Sequence, residues 1–152
     1  MSTNSISIFI DADACPVKSE IERVASRHKI KTYVVSNGGI RPSQNPLLNL
    51  VVVSKEADAA DIWISENMNA NDIVVTSDIV LAANVIEKGA RVIKPTGEIL
   101  NGKNIGEILA MRDLMYDIRA ADPFRQSGGS AFSKNDISKF LDGLERLARV
   151  KF

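Results

Sequence analysis

The feature that most constrains the fold is an apolar run that ends abruptly in two acids and a proline, Ser7-Ile8-Phe9-Ile10-Asp11-Ala12-Asp13-Ala14-Cys15-Pro16. A β-favouring run that is apolar on both faces is typical of a central strand in a covered parallel sheet. Pro16 fits the first position of a helix, where its missing N–H costs nothing. The stretch therefore predicts a buried strand, an acidic tip and a helix. Asp11 and Asp13 would lie at the carboxyl end of the strand, the edge at which open α/β sheets bind ligands.

Strand and helix patterns then alternate up to about residue 100. The patterns predict strands at 31–36, 50–53, 72–76 and 92–93 and helices at 57–68 and 79–88. A ten-residue loop at 37–46, with two glycines and two prolines, separates the second and third strands. This alternation predicts an α/β fold with a doubly wound, mostly parallel sheet of about four or five strands flanked by helices, with the first strand beside the fourth.

The length of 152 residues and the 45% hydrophobic content predict a single domain over residues 1–152 with one core. Residues 1–100 would form the α/β part and residues 101–152 a helical part. A helix is expected from 104 to about 119, followed by a mobile loop near 121–133 that contains Pro123 and two glycines. Asn104 with Glu107 resembles a capping box that opens the first of these helices, and Ser133 with Asp136 is expected to start a last helix.

Composition limits the partners and the compartment. Nineteen basic residues balance nineteen acidic ones and aromatic residues are only 5%, so the chain lacks the basic, aromatic surface of strong single-strand binders. A single cysteine excludes an intrachain disulfide and fits a reducing compartment. No charged leader precedes the first apolar run and Asp11 interrupts it, so we expect a cytoplasmic protein without a membrane span. The oligomeric state is left open.

Several carboxylates are expected to meet at one edge of this sheet. Asp11 and Asp78 both follow apolar strands, while Asp58 and Asp61 lie three apart on one helix. Like charges at short range must be protonated, separated or neutralised by a cation, and oxygen ligands favour Mg²⁺ or Mn²⁺. The alternative is that Asp13, Asp58 and Asp78 are separate helix N-caps, since aspartate is preferred there.

The chain also resembles the YaiI/YqxD family of uncharacterised bacterial proteins. The segments that carry the resemblance are Asp-Ala-Asp-Ala-Cys-Pro at 11–16, Asp-Ala-Ala-Asp at 58–61, Thr-Ser-Asp at 76–78 followed by Leu-Ala-Ala at 81–83, Met-Arg-Asp at 111–113 and Gly-Gly at 128–129. That family is considered similar to PIN-like nuclease domains, which hold divalent metal through acidic residues at strand ends and on an intervening helix. The resemblance thus implies a PIN-like fold and phosphodiester hydrolysis, with RNA favoured as substrate.

The same resemblance assigns the acids individually. Asp11 matches the first-strand acid, Asp58 or Asp61 the helical acid, and Asp78 the acid of the Thr-x-Asp segment. Asp13 belongs to the family hexapeptide rather than to the general PIN pattern. PIN domains often carry a further acid, for which the next candidate here is Glu87, a few turns along a helix.

These residues define the chemistry we expect. A metal held by Asp11 and Asp78 would lower the pKa of a bound water, while Asp13 or Asp61 would orient that water or a second ion. Arg41, in the glycine-rich loop, and Arg112 would bind flanking phosphates in bidentate fashion. The alternative for Arg41 is solvated surface, and for Arg112 an ion pair on its own helix.

Other functions compete for the same residues. In a phosphatase resembling the haloacid dehalogenases, Asp11 would be the nucleophile and Asp13 the general acid/base. That family needs a late acidic pair after a strand, whereas Asp113 and Asp117 fall in a predicted helix. Cys15 is a weak nucleophile candidate beside two carboxylates and is better explained as a packing residue. A nonenzymatic regulator that binds metal or RNA is a further alternative.

Overall fold

The computed structural model describes residues 5–56, 58–121 and 133–150, without the side chains of residues 14, 112 and 115–121. The strands are β1 Ser7–Asp11, β2 Lys31–Ser36, β3 Leu48–Val52, β4 Ile73–Val75, β5 Arg91–Ile93 and β6 Ile99–Leu100. The helices are α1 Lys18–His28, α2 Ala59–Asn67, α3 Ile79–Glu87, α4 Ile105–Ala121 and α5 Lys134–Arg149. None of these helices is both long and apolar enough to cross a membrane.

The six strands form one sheet in the order β3-β2-β1-β4-β5-β6. Strands β1 to β5 are parallel and β6 is antiparallel to β5. The predicted doubly wound, mostly parallel sheet is therefore confirmed, and so is the placement of β1 beside β4, where Ile10 pairs with Val75. The strand order reverses between β1 and β4, which makes this pair the topological switch point of the sheet.

Apolar side chains cover both faces of the sheet. Ile8 and Ile10 pack with α1 and α5. Phe140 and Leu144, both from α5, are fully buried. Phe9 points to the opposite face and packs with α2 and α3. Because side chains alternate along a strand, Asp11 follows Phe9 onto the face that carries α2 and α3.

Some element boundaries differ from the sequence predictions. Helix α1 begins at Lys18, so Pro16 precedes the helix and does not occupy its first position. The reason is that Ala12–Ala14 forms a 3-10 turn and Cys15 is extended, so the helix can begin only after these residues. Strand β6 was not predicted, because two residues are too few for a periodic pattern. The predicted start of the last helix at Ser133 and Asp136 is confirmed, and the two residues form a capping box there. The loop predicted near 121–133 lies almost entirely outside the described residues.

The connection from β2 to β3 is unusual for parallel neighbours. Such strands are normally joined by a crossover that contains a helix, yet residues 37–47 form a loop with no helix or strand in it. Ile40 from this loop packs against the core on the α1 face. The loop therefore lies where a crossover helix would otherwise cover the sheet.

Candidate carboxylate site

Thr76 connects the acid at the end of β1 to the segment that follows β4. Asp11 and Thr76 each stand one residue beyond the paired Ile10 and Val75. The Thr76 hydroxyl donates to Asp11 Oδ2 at 3.0 Å, and its oxygen accepts from the Asp78 N–H at 3.0 Å. Thr76 is only 2% exposed. Its hydroxyl therefore fixes Asp11 and Asp78 relative to each other at the switch point.

Asp78 is held by the first turn of α3. Its Oδ1 accepts from the N–H groups of Val80 at 2.9 Å and Leu81 at 3.2 Å. These two N–H groups have no partner within the helix, and a carboxylate satisfies them and the positive end of the helix dipole. The predicted N-cap role of Asp78 is confirmed. The capping hydrogen bonds orient the carboxylate through Oδ1 and do not involve Oδ2.

Asp61 approaches Asp78 from the first turn of α2. A side-chain hydrogen bond between the Asp61 and Asp78 carboxyl groups is one of the contributions that raise the pKa of Asp61. Asp11, Asp61 and Asp78 thus come from a strand end, a helix and a helix cap, and we call these three residues the carboxylate edge. The predicted meeting of Asp11 and Asp78 at one sheet edge is confirmed, and of the two helical acids it is Asp61 that joins them.

Crowding changes the acidity of the carboxylate edge. Burial, followed by the charge of Asp78 and the hydrogen bond to it, raises the pKa of Asp61 to about 7, with smaller contributions from Asp11 and Asp58. Burial also raises the pKa of Asp11; the Thr76 hydrogen bond opposes this, and the charges of Asp78 and Asp13 add to it. Adjacent carboxylates keep a proton to a higher pH than an isolated one, and a cation that binds them displaces that proton.

Asp13 is held by different partners. Ser36 Oγ donates to Asp13 Oδ1 at 2.8 Å, and the N–H of Asn37 donates to Oδ2 at 3.0 Å. The interpretation of Asp13 as a helix cap is wrong, because it lies inside the 3-10 turn and Val17 is the N-cap of α1. Asp13 connects this turn to the end of β2, while its charge still contributes to the pKa of Asp11.

The remaining predicted acids lie at the margin. Asp58 is at the N-cap position of α2, but its side chain makes no capping hydrogen bond. It is exposed and borders, with Asp61, a groove between α2 and α3. Glu87 is the last residue of α3, about 12 Å along the helix axis from its first residue at the usual rise. The carboxylate edge therefore contains no counterpart of a further PIN acid from Glu87.

The donor chemistry of the carboxylate edge suits a hard cation. Within the described ranges, no group of three or more His, Cys, Asp or Glu side chains is arranged to hold a metal ion. Mg²⁺, however, is usually bound by one or two carboxylates together with waters and substrate phosphates. Asp61 and Asp78 provide such a pair once their shared proton is lost, with Asp11 beside them.

Of the two predicted phosphate-binding arginines, Arg41 does not join this site and the role of Arg112 stays a prediction. Arg41 is exposed on the loop at 37–47 and borders a cavity on the α1 face, opposite the carboxylate edge. Arg112 belongs to α4, and its side chain is outside the described part of the structure. Cys15 is 7% exposed in the core and burial raises its pKa, so its interpretation as a packing residue is confirmed.

Sequence reasoning did not assign the hydroxyl partners of the acids. Thr76 and Ser36 each stand at the end of an apolar strand, as Asp11 does. That position is the signal that could have identified them, since parallel strand ends meet at one sheet edge.

Comparison with known proteins places the chain in a family. Residues 9–149 match the family model described as "Uncharacterized BCR, YaiI/YqxD family". The chain belongs to the YaiI/YqxD family. The resemblance read from the sequence is thereby confirmed, while the further likeness to PIN domains stays a prediction.

Curated relatives of this YaiI/YqxD chain match it over nearly its whole length. A UPF0178 protein of Roseobacter denitrificans is 62% identical over 142 residues, covering 93% of this chain and 94% of the relative. A UPF0178 protein of Ruegeria pomeroyi is 54% identical over 144 residues, covering 94% of each. One from Mesorhizobium japonicum is 49% identical over 142 residues, covering 93% of this chain and 91% of the relative. No solved structure matches the chain significantly.

Proposed function

We propose that this YaiI/YqxD protein is a Mg²⁺- or Mn²⁺-dependent phosphodiesterase that hydrolyses nucleic acid, RNA in preference to DNA. The observation that carries the proposal is the meeting of Asp11, Asp61 and Asp78 at the switch point between β1 and β4. Ligands of open α/β sheets bind at that point. The preference for RNA rests on the resemblance to PIN-like nucleases.

Each residue of the carboxylate edge has a distinct role in this proposal. A bound cation would supply an acidified water and offset the charge that develops on the phosphate. Asp61 and Asp78 would hold it, and the proton on Asp61 would leave because metal ligands must be deprotonated. Thr76 keeps Asp11 oriented toward the same position through its 3.0 Å hydrogen bond.

Cleavage assays test the proposal directly. Labelled RNA, single-stranded DNA of the same sequence and an aryl phosphate are incubated with Mn²⁺ and the wild type, Asp11→Asn, Asp78→Asn or the double variant. We expect slow strand cleavage that Mn²⁺ stimulates and that each single variant loses almost as fully as the double, because the residues act as a unit. Asp142→Asn, at an exposed aspartate of α5, is the matched control and should cleave like the wild type.

The alternative functions give different results in the same system. In the phosphatase mechanism, the Asp11 carboxylate attacks phosphorus and expels the alcohol, leaving an aspartyl-phosphate that beryllofluoride mimics. That mechanism needs Asp13 as general acid/base, whereas Asp13 here is held by Ser36 and Asn37. Capture of beryllofluoride on Asp11 would establish the phosphatase and overturn our proposal. RNA binding without turnover in Mg²⁺ and Mn²⁺ would instead favour the nonenzymatic regulator.

A further inference from the structure

A cavity of about 220 Å³ lies on the α1 face of the sheet, between α1 and the loop at 37–47. The residues that line it are Ile10, Lys18, Ser19, Glu22, Val34, Ile40, Arg41, Ser43, Leu48 and Leu50. Its floor includes one row across three strands, because Ile10 pairs with Val34 and Val34 with Leu50. The cavity exists because the β2–β3 crossover is a loop, which fills the space above this row less completely than a helix would.

Three charged side chains line the rim of the cavity. Lys18 and Arg41 are positive, and Glu22 is negative but already hydrogen-bonded to the loop. Glu22 Oε2 accepts from Asn45 Nδ2 at 3.2 Å and from Ser43 Oγ at 3.4 Å, which fixes it to the loop. Lys18 Nζ donates only to the carbonyl of Ala12, at 3.1 Å, among the described residues. Arg41 is exposed, and no described residue pairs with its guanidinium group. The rim therefore favours an anionic ligand next to an apolar floor.

The cavity and the carboxylate edge share strand β1 but lie on opposite faces of the sheet. The floor row of Ile10 is one residue before Asp11 on β1. Since successive side chains of a strand point to opposite faces, Asp11 opens onto one face and the cavity onto the other, at the same end of the sheet.

We propose that the cavity takes one nucleobase of a nucleic-acid strand, with the neighbouring phosphate on Lys18 and Arg41. This inference rests on the proposed function, because the same strand would place another phosphate at the carboxylate edge. Drug-sized ligands occupy pockets of about 300–1,000 Å³, so this smaller cavity suits a single ring system. Single-stranded RNA is recognised through bases that are splayed out of the stack in this way.

Binding experiments test the cavity separately from catalysis. Fluorescence anisotropy in EDTA compares a labelled uridine hexanucleotide with an abasic strand of the same length. The wild type should bind the strand with bases more tightly by roughly fivefold or more, because burying the apolar surface of a base in the cavity is favourable. Ile40→Trp, which fills the cavity from the loop, should remove this preference. Arg41→Ala should weaken both strands alike, whereas Arg23→Ala, at an exposed arginine of α1 outside the cavity, should change neither.

The outcomes distinguish this inference from the proposed function. Ser43→Phe provides a second filling variant at an exposed position, in case Ile40→Trp lowers the melting temperature. Equal binding of both strands by the wild type would overturn the proposal that the cavity takes a base. An unchanged preference for the strand with bases in both filling variants would do the same. Cleavage that needs Asp11 but not the bases would reject base binding in the cavity and leave the proposed phosphodiesterase activity standing. A base preference lost on filling, without any cleavage, would support the cavity and reject the phosphodiesterase.

Discussion

At the residue scale, Thr76 organises the carboxylate edge through two hydrogen bonds of one buried hydroxyl. Thr76→Val keeps the shape of the side chain and removes both bonds. Leaving buried groups without partners costs about 1–3 kcal/mol, so we expect a loss of that size in the free energy of unfolding in urea. Thr76→Ser should retain most of the stability, and Thr96→Val, at an exposed threonine, should lose little. Equal stability of Thr76→Val and wild type would show that the hydroxyl does not hold the acids.

Asp61 makes stability depend on pH in a direction that its pKa determines. Its pKa is about 7 in the folded protein and about 3.9 in an unfolded chain, so between these values the folded state binds more protons. The stabilisation from this proton is fully present below about pH 4 and is lost as the pH rises through about 7. Melting temperatures in EDTA should therefore fall across this window for the wild type. The raised pKa of Asp11 acts in the same direction.

The variant Asp61→Asn isolates this effect. It should flatten the decrease between pH 4 and pH 7, because an amide cannot take up the proton, whereas the control Asp142→Asn should keep the slope of the wild type. A decrease of the same steepness in Asp61→Asn would assign the proton to another group.

Individual acids were predictable from the sequence where their partners are local. Asp78 caps the helix that begins beside it, and the helix-start pattern is sufficient to predict that role. Asp13 is different, because Ser36 is 23 residues away and only the pairing of β1 with β2 brings them together. Local pattern could not tell a cap from a long-range contact.

At the element scale, Asp78 serves both helix α3 and the carboxylate edge, and two substitutions separate these roles. Asn is as good an N-cap as Asp, while Ala costs about 0.5–2 kcal/mol at such positions. We expect Asp78→Asn to unfold in urea close to the wild type and Asp78→Ala to be less stable by about 1 kcal/mol. Both should lose metal binding and cleavage equally. Retained cleavage in Asp78→Asn would mean that Asp78 is only a cap.

The docking of α5 depends on a glycine in the β5–β6 turn. Gly97 has φ of +95°, and a Cβ there would lie 2.6 Å from the Lys139 carbonyl carbon. Gly39 has a comparable φ of +79° but nothing within 4 Å. Gly39→Ala should therefore lose only the about 1–2 kcal/mol of the left-handed conformation. Gly97→Ala should lose clearly more in urea unfolding, because backbone must move, and equal losses would contradict this packing.

The elements that escaped prediction are those with weak periodic signals. Strand β6 has only two residues, Ile99 and Leu100. The loop predicted at 37–46 is confirmed as the β2–β3 crossover. Nothing in its sequence indicated that it leaves a cavity above β1 to β3. The volume of a cavity depends on how α1 and the loop pack, which local pattern does not encode.

At the scale of the whole molecule, alternation of strands and helices was sufficient to predict a doubly wound, mostly parallel sheet with β1 beside β4, although the expected four or five strands did not include β6. Covered parallel strands and short connections leave few arrangements, and the pairing of β1 with β4 follows from them. That pairing is also what brings Asp11 and Asp78 together. The arrival of Asp61 from α2 could be predicted only as one of two alternatives with Asp58, because both lie on the same helix surface.

A titration of the wild type with Mn²⁺ at pH 8, measured by isothermal calorimetry, shows whether the carboxylate edge binds a divalent cation. We expect saturable binding, abolished in Asp11→Asn and Asp78→Asn and unchanged in Asp142→Asn. At 100 times the dissociation constant, the metal should stabilise the wild type by about 2.7 kcal/mol through mass action. Identical titrations in the wild type and Asp11→Asn, or no binding in either, would show that the carboxylate edge is not a metal site.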